Sequence, residues 1–329
     1  MIGISVIICC YNSSKRIGTT LDHLVVQRTE GLFNFEIILV DNNSSDNTFE
    51  EAKDYFRLKK ERVDFSILKE PKAGRSNALK LGVKSSKYDF LVMCDDDNWL
   101  EDDYLSTTYR YLLNNHDIAL IGGEGFARFS SEKAKPWWFD QYYHGYAVGR
   151  QSEGNTYLQT IYGAGMGARK SVVEQCFAVP FFLTGRKGSK LTSGEDTELC
   201  YRVSLLKFKI FYTSELKFQH DLPAERLSWN YLKRLHKGLS EPDFILDLYR
   251  DVIANRPFKK WSWLKKGMYF LCIIIKYGII YALKGKLFKE GNAESIRISG
   301  WLINSKNYFS YNFDTYRIYN QIKMFANHD

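Results

Sequence analysis

Apolar positions in the first third of the chain follow two rhythms. Short runs rich in β-branched residues stand at ISVIICC (4–10), FEIILVD (35–41), VDFSIL (63–68), YDFLVMCD (88–95) and IALIGG (118–123). Near-continuous apolar runs of this length predict strands buried on both faces. The stretches between them, near 15–28, 46–60, 75–85 and 102–114, space their apolar residues as helices do. Ser45-Asp46-Asn47-Thr48 and Glu101-Asp102-Asp103 supply helix-start chemistry for two of them.

Alternation of this kind predicts an α/β fold, a mostly parallel sheet covered by helices on both faces. Ligands bind such sheets beyond the carboxyl ends of the strands. Polar residues gather at those ends: Tyr11 and Asn12 after the first strand, Asp41, Asn42 and Asn43 after the second, and Asp95, Asp96 and Asp97 after the fourth.

From 124 to 193 the pattern is irregular, with aromatic KPWWFDQYYHGYAVG (135–149) and glycine-rich YGAGMGARKSV (162–172) reading as loops around a site. GEDTELCYRVSLLKFKIFYT then predicts a helix and a strand. After Pro223 the chain reads as helical to its end, with one helix start at Ser240 and a stop before Pro257. The expected organisation is an α/β domain over 1–222, divided at 123/124, where the regular alternation gives way to the irregular half. A helical region over 223–329 follows.

Composition narrows the class. With 45% hydrophobic and 26% charged residues the chain is a folded globular protein. Six cysteines without a CxxC, mostly within apolar runs, read as buried free thiols in a reducing compartment. MIGISVIICC reads as a first strand and not as a leader, which sets the expectation of a cytoplasmic protein. The net charge of +8 is concentrated: Asn255–Glu290 carries nine Lys and Arg against Glu290 alone. Within it, Gly267–Leu283 is apolar but for Lys276. Segment 258–290 is therefore read as a peripheral contact with the inner face of an anionic membrane, with no nucleic-acid partner. A bundle helix and a membrane span are the alternatives.

Three adjacent carboxylates at a strand end repel one another, so either they face solvent as a turn or something cationic sits among them. A hard cation, Mn²⁺ or Mg²⁺, suits carboxylate ligands and favours a phosphate-bearing substrate. EPKAGRSNALKLG (70–82) places Lys72 and Arg75 ahead of a helix start, where backbone amides and guanidinium can hold a diphosphate. A pairing of Arg75 with a surface carboxylate is the simpler alternative. No GxxxxGK[ST] is present, and GAGMGA is not spaced as GxGxxG, which argues against P-loop enzymes and dinucleotide dehydrogenases.

Taken in order, VIICCYNSS, ILVDNNSSDNT, KAGRSNALKLG, FLVMCDDDNWLEDDYL, YGAGMGARKS and SGEDTELCYRV resemble the motif series of family 2 glycosyltransferases, over roughly residues 3 to 220. The resemblance implies a GT-A fold and inverting transfer of a sugar from a nucleotide-diphosphate sugar to a hydroxyl of a glycan or lipid-linked glycan acceptor. It implies that Asp41 holds the nucleotide base beside Asn12, and that Lys72 and Arg75 receive the donor. Asp95 and Asp97 match the ends of the DxD motif, the first at the ribose and the last on a metal, with Asp96 between them on the donor side. Asp196 matches the catalytic base and Glu195 its acidic neighbour; acidic capping of a helix start is the alternative for both. His220, in KFQHDLP, stands where some relatives place a metal ligand, although a lone histidine is as readily structural. Gly163 and Gly165 match the segment lining the sugar, with Arg169 as an anchor. Trp137 and Trp138 would stack on sugar faces or pack in the core.

Two other classes remain open from sequence. A non-catalytic nucleotide- or carbohydrate-binding protein of the same fold would be expected to have lost one of Arg75, Asp95, Asp97 or Asp196. A nucleotidyltransferase would leave Asp196 without a task.

Overall fold

The computed structural model describes residues 1–59, 63–131, 134–186, 191–285, 290–310 and 313–327. The predicted strands form one side of its sheet: β1 (Gly3–Cys10), β2 (Asn34–Asp41), β3 (Asp64–Lys69) and β4 (Phe90–Asp95). All are parallel, with β1 central between β2 and β4, so their carboxyl ends share one edge. The apolar runs serve two cores at once. In β1, Ile4, Val6, Ile8 and Cys10 face the layer of α1 (Ile17–Val25), α2 (Thr48–Lys59) and α4 (Tyr104–Asn114). Ile7 faces α3 (Arg75–Ser85), α5 (Lys170–Phe177), α6 (Glu195–Leu205) and the C-terminal helices. The period of two is hidden in the sequence because both faces are buried.

The other side of the sheet is mixed. β8 (Met166–Arg169) runs antiparallel to β4, and β6 (Ile118–Phe129) and the long β9 (Lys209–Leu222) pair in parallel beyond it. β5 (Asn98–Leu100) and β7 (Thr156–Tyr157) add to β9. β6 runs six residues past its expected end at 123. Its glycines permit this: a Cβ at Gly123 would lie 2.1 Å from the Leu216 carbonyl oxygen, and one at Gly125 2.4 Å from that of Ala147.

After β9 the chain is helical: α7 (Trp229–Ser240), α8 (Asp243–Ile253), α9 (Lys260–Leu283), α10 (Ala293–Phe309) and α11 (Phe313–Ala326). Ser240 ends α7 instead of starting α8; α7 itself is capped by Ser228, whose side chain accepts from the Tyr231 N–H. This helical region is stitched to the aromatic loop of 135–149. Trp138, Tyr142, Tyr146, Trp229 and Ile296 share one cluster, and the Trp138 indole N–H donates to Glu290 at 3.1 Å.

Two sequence expectations change here. Trp138 is wholly buried, so no face is free for a sugar, whereas Trp137 lies against Gly291, where a Cβ would meet its ring at 1.9 Å, yet stays 69% exposed. Arg169 pairs in register with Phe90, at the opposite end of β4 from Asp95. Its guanidinium donates to the carbonyls of Leu112, Asn115 and Ile118, closing the C-terminus of α4. The Arg169 side chain ties helix to sheet and is remote from the strand ends.

α9 is 24 residues long, about 36 Å at the helical rise. Of its most apolar 18-residue window, with mean hydropathy 1.5, only 6% is buried. Length and composition alone would let it cross a membrane. It packs on α10 through Trp263 and Gly267, leaving Trp261, Met268, Ile275, Ile279 and Leu283 exposed along one side. Lys286 and Lys289, part of the basic excess, lie outside the described residues.

Candidate active site

The carboxyl ends of β1, β2 and β4 open on a cavity of about 720 Å³. Its far wall is built from the start of α6, the 144–147 turn, the 161–164 segment and α7 and α8, so the helical region helps to enclose it. Three devices fix its floor. Asn42 receives the Gly74 N–H on Oδ1 at 2.8 Å and donates its amide to the carbonyls of Glu70 and Lys72. This clamp sets the start of α3, and so Arg75. Asn12, at φ 51°, accepts the Ser45 N–H at 2.8 Å and braces the loop after Asp41, whose Oδ1 accepts the Ser44 N–H at 3.2 Å. Asp41 is buried at its strand end, while Lys72 is exposed and offers this arrangement only its backbone.

The third device holds α6. Glu198 and Arg202, one turn apart and almost wholly buried, pair at 2.8 Å. Arg202 also donates to the carbonyls of Cys176, Val179 and Pro180, and Glu198 accepts the N–H groups of Phe182 and Leu183. Tyr249 of α8 bonds to both side chains. Because each member is satisfied by others, this buried charge pair can be held without a large penalty. It fixes the helix whose first residues, Glu195 and Asp196, face the cavity.

The three aspartates are each matched to an arginine. Asp95 pairs with Arg75 at 3.1 Å, Asp96 with Arg16 at 2.8 Å and Asp97 with Arg226 at 2.6 Å. For Asp96 and Asp97 the protonation follows from these neighbours. Burial and the adjacent Asp97 raise the Asp96 carboxyl above its ordinary range, against the pull of Arg16. Burial would raise Asp97 too, but His220 and Arg226 outweigh it and hold the carboxyl well below the usual range. Arg16 and Arg226 come from 80 and 129 residues away in sequence, and no local pattern announces them.

Arg75 links the two sides of the cavity. It contacts Asp95 Oδ1 on β4, and its other arm reaches Asp196 Oδ1 at 2.7 Å and Glu195 at 3.7 Å on α6. Its pKa stands well above the ordinary value: burial opposes the charge, and the three carboxylates around it more than compensate. The Glu195 carboxyl is raised as well, to about 7, through burial first and the Asp196 charge second, with Arg75 opposing. Glu195 Oε2 is buried without a hydrogen-bond partner among the described residues. Gly163 leaves room for the base candidate, since a Cβ there would lie 2.0 Å from Asp196 Oδ2. Gly165 does not line the cavity; at φ 67° it turns the chain into β8, and its carbonyl accepts from Tyr104.

For a divalent metal the donor chemistry is present but incomplete. His220 Nε2 lies 3.4 Å from Asp97 Oδ1, and His220 Nδ1 is buried with no partner among the described residues. No three His, Cys, Asp or Glu side chains converge among the described residues. A carboxylate and an imidazole completed by diphosphate oxygens is a pattern hard cations accept, so Asp97 and His220 fit the group. Asp95 holds Arg75 on its Oδ1 as Asp97 holds Arg226 on its Oδ2, so either carboxylate would exchange a guanidinium contact for the cation.

Comparison with known proteins places this site in context. The sequence profile of Glycosyl transferase family 2 matches residues 5–177, just over half of the chain. Glycosyltransferase GlyG of Streptococcus pneumoniae is 29% identical over 119 residues, which cover 36% of this chain and 38% of that protein. Poly-beta-1,6-N-acetyl-D-glucosamine synthase of Staphylococcus aureus is 31% identical over 134 residues, 40% of this chain and 30% of the other. The matched regions thus span well under half of these curated relatives. In fold, the mannosyltransferase PcManGT of Pyrobaculum calidifontis, solved with GDP-Man and Mn²⁺, superposes with a TM-score of 0.59 at 13% identity, covering 93% of this chain and 87% of that one. S. aureus TarS residues 1–349, solved with UDP, gives 0.52 at 13% identity, covering 95% and 93%.

Proposed function

The chain belongs to glycosyl transferase family 2, and from that premise we propose that it is an inverting, metal-dependent glycosyltransferase acting on a nucleotide-diphosphate sugar. The observation that carries the reading is Arg75, which bonds Asp95 and Asp196 at once and so holds a base within one guanidinium of the donor-facing strand end. The UDP and GDP-Man bound by the two fold neighbours support a nucleotide-sugar donor. The synthase relative supports a polysaccharide or lipid-linked glycan as acceptor.

In this mechanism Asp41 and Asn12 frame the nucleotide base, Asp95 takes the ribose, Asp96 stays on the donor side and Arg75 faces the diphosphate. Lys72 adds positive charge at the rim. Gly163 lets the sugar approach the backbone beside Asp196. The acceptor hydroxyl donates its proton to an Asp196 oxygen as its own oxygen bonds to the anomeric carbon. The bond from that carbon to the diphosphate oxygen breaks on the opposite face, and the electron pair leaves with the nucleoside diphosphate. Bound at Asp97 and His220, Mn²⁺ or Mg²⁺ would neutralise charge on the leaving diphosphate. Glu195, raised to about 7, keeps a second full negative charge from crowding Asp196 at lower pH.

Asp196→Asn tests the assignment. Calorimetry should show the donor nucleotide binding within about twofold of wild type, while transfer falls roughly 10²- to 10⁴-fold. Retained transfer would remove Asp196 as the base.

The exposed side of α9 supports a second element of this reading, a cytoplasmic protein resting on the anionic inner face of a membrane. Trp261, Met268, Ile275 and Ile279 would enter the acyl boundary, and Lys265 and Lys276 lie close enough to that side to reach the headgroups.

A further inference from the structure

Arg226 has no place in the reading from sequence, yet it touches both groups assigned to the metal. It sits on a short turn, Ala224–Leu227, directly after β9. The turn is pinned: Leu227 is buried, and the Tyr146 hydroxyl donates to the Arg226 carbonyl at 2.9 Å. From there the guanidinium lines the cavity, 2.6 Å from Asp97 Oδ2 and 3.4 Å from His220 Nε2. The other two arginines of the triplet have further anchors. Arg75 also holds Asp196, and Arg16 also donates to the Tyr11 carbonyl and the Ser13 hydroxyl. The nearest carboxylate to Arg226 is that of Asp97, and the two neutralise each other.

We propose that Arg226 is a resident counter-ion for Asp97, which closes the metal position to a free cation and is transferred to the diphosphate when nucleotide and metal arrive together. This rests on the metal reading of Asp97 and His220. A dication approaching those two donors alone meets a guanidinium already in contact with both, and like charges repel. A nucleoside diphosphate removes the conflict, because its oxygens accept from Arg226 and complete the shell of the ion at the same time. Metal affinity therefore depends on nucleotide, and nucleotide affinity on metal, by the same factor.

The test uses the full chain and Mn²⁺ as probe, with free Mn²⁺ followed by electron paramagnetic resonance, without nucleotide and then with UDP and, in parallel, GDP. Wild type should bind Mn²⁺ weakly alone and at least tenfold more tightly with the nucleotide it accepts. Arg226→Met should bind Mn²⁺ alone about tenfold more tightly than wild type, and its nucleotide affinity should fall by a similar factor. Arg226→Lys, which keeps the charge, should resemble wild type. A folded Arg226→Met protein with wild-type affinity for Mn²⁺ alone overturns the proposal. If that result comes with nucleotide-dependent Mn²⁺ binding that Asp97→Asn abolishes, the metal reading survives and the role of Arg226 alone fails. No Mn²⁺ binding to any form, with either nucleotide, overturns both.

Discussion

Glu195 gives the cleanest quantitative test of the electrostatics around Arg75. Its side chain is 8% exposed, and burial with the neighbouring Asp196 charge raises it from an ordinary 4.5 to about 7. An acid whose pKa is raised in the folded state binds its proton more tightly when folded. Its contribution to stability is complete below 4.5 and is lost as pH rises through 7. At roughly 1.4 kcal/mol per pH unit, the loss reaches about 3 kcal/mol by pH 8. Glu195→Gln keeps the shape of the protonated carboxyl and removes the titration. Urea unfolding of both proteins between pH 5 and 8 should show the variant favoured by under about 1 kcal/mol at pH 5, growing to about 3 kcal/mol at pH 8. A constant difference across that range would refute the argument. So would a wild type that is the more stable protein at pH 8, since Arg75 would then be holding Glu195 ionised.

Two further outcomes follow from the packing. Gly163→Ala should fold and bind nucleotide, but transfer should fall by roughly 10²-fold in a steady-state assay, because its Cβ would displace the Asp196 carboxylate 2.0 Å away; unchanged transfer would mean that Asp196 need not occupy this position. Wild type should co-sediment with phosphatidylserine vesicles and be released by salt, and Ile275→Glu with Ile279→Glu should abolish sedimentation while leaving transfer to a soluble acceptor intact. Equal sedimentation of both proteins would assign the exposed side of α9 to another role.

The parallel half of the fold was legible because its strands are continuous apolar runs and its helices carry their own periodicity. α3 begins and ends where the pattern placed it, at Arg75 and Ser85. The mixed half was less so. The pattern ends that strand at Gly123 and turns irregular from 124, yet β6 runs on to Phe129, and its glycines are what let β9 and the 147 turn come close. The cavity-facing carboxylates were visible as motifs, and Arg75 with them. Their partners were not. Arg16 and Arg226 reach Asp96 and Asp97 only after α1 and β9 are placed, and a lone arginine beside SSK or in PAERL carries no signal of its own. The aromatic residues were legible only in part: KPWWFD offers two tryptophans, and only tertiary packing reveals that Trp138 is wholly buried while Trp137 stays largely exposed beside Gly291.

The shared guanidinium of Arg75 also bears on timing. While its arm lies 2.7 Å from Asp196, that N–H occupies the oxygen to which the proposed reaction would deliver a proton. In the proposed reaction a diphosphate would compete for the same N–H groups. Drawn toward the β4 side by it, the guanidinium would uncover Asp196 Oδ1 for an acceptor hydroxyl. Access to the proposed base would then be conditional on cargo: its oxygen is uncovered when there is a sugar to move, and covered by its own neighbour when there is none.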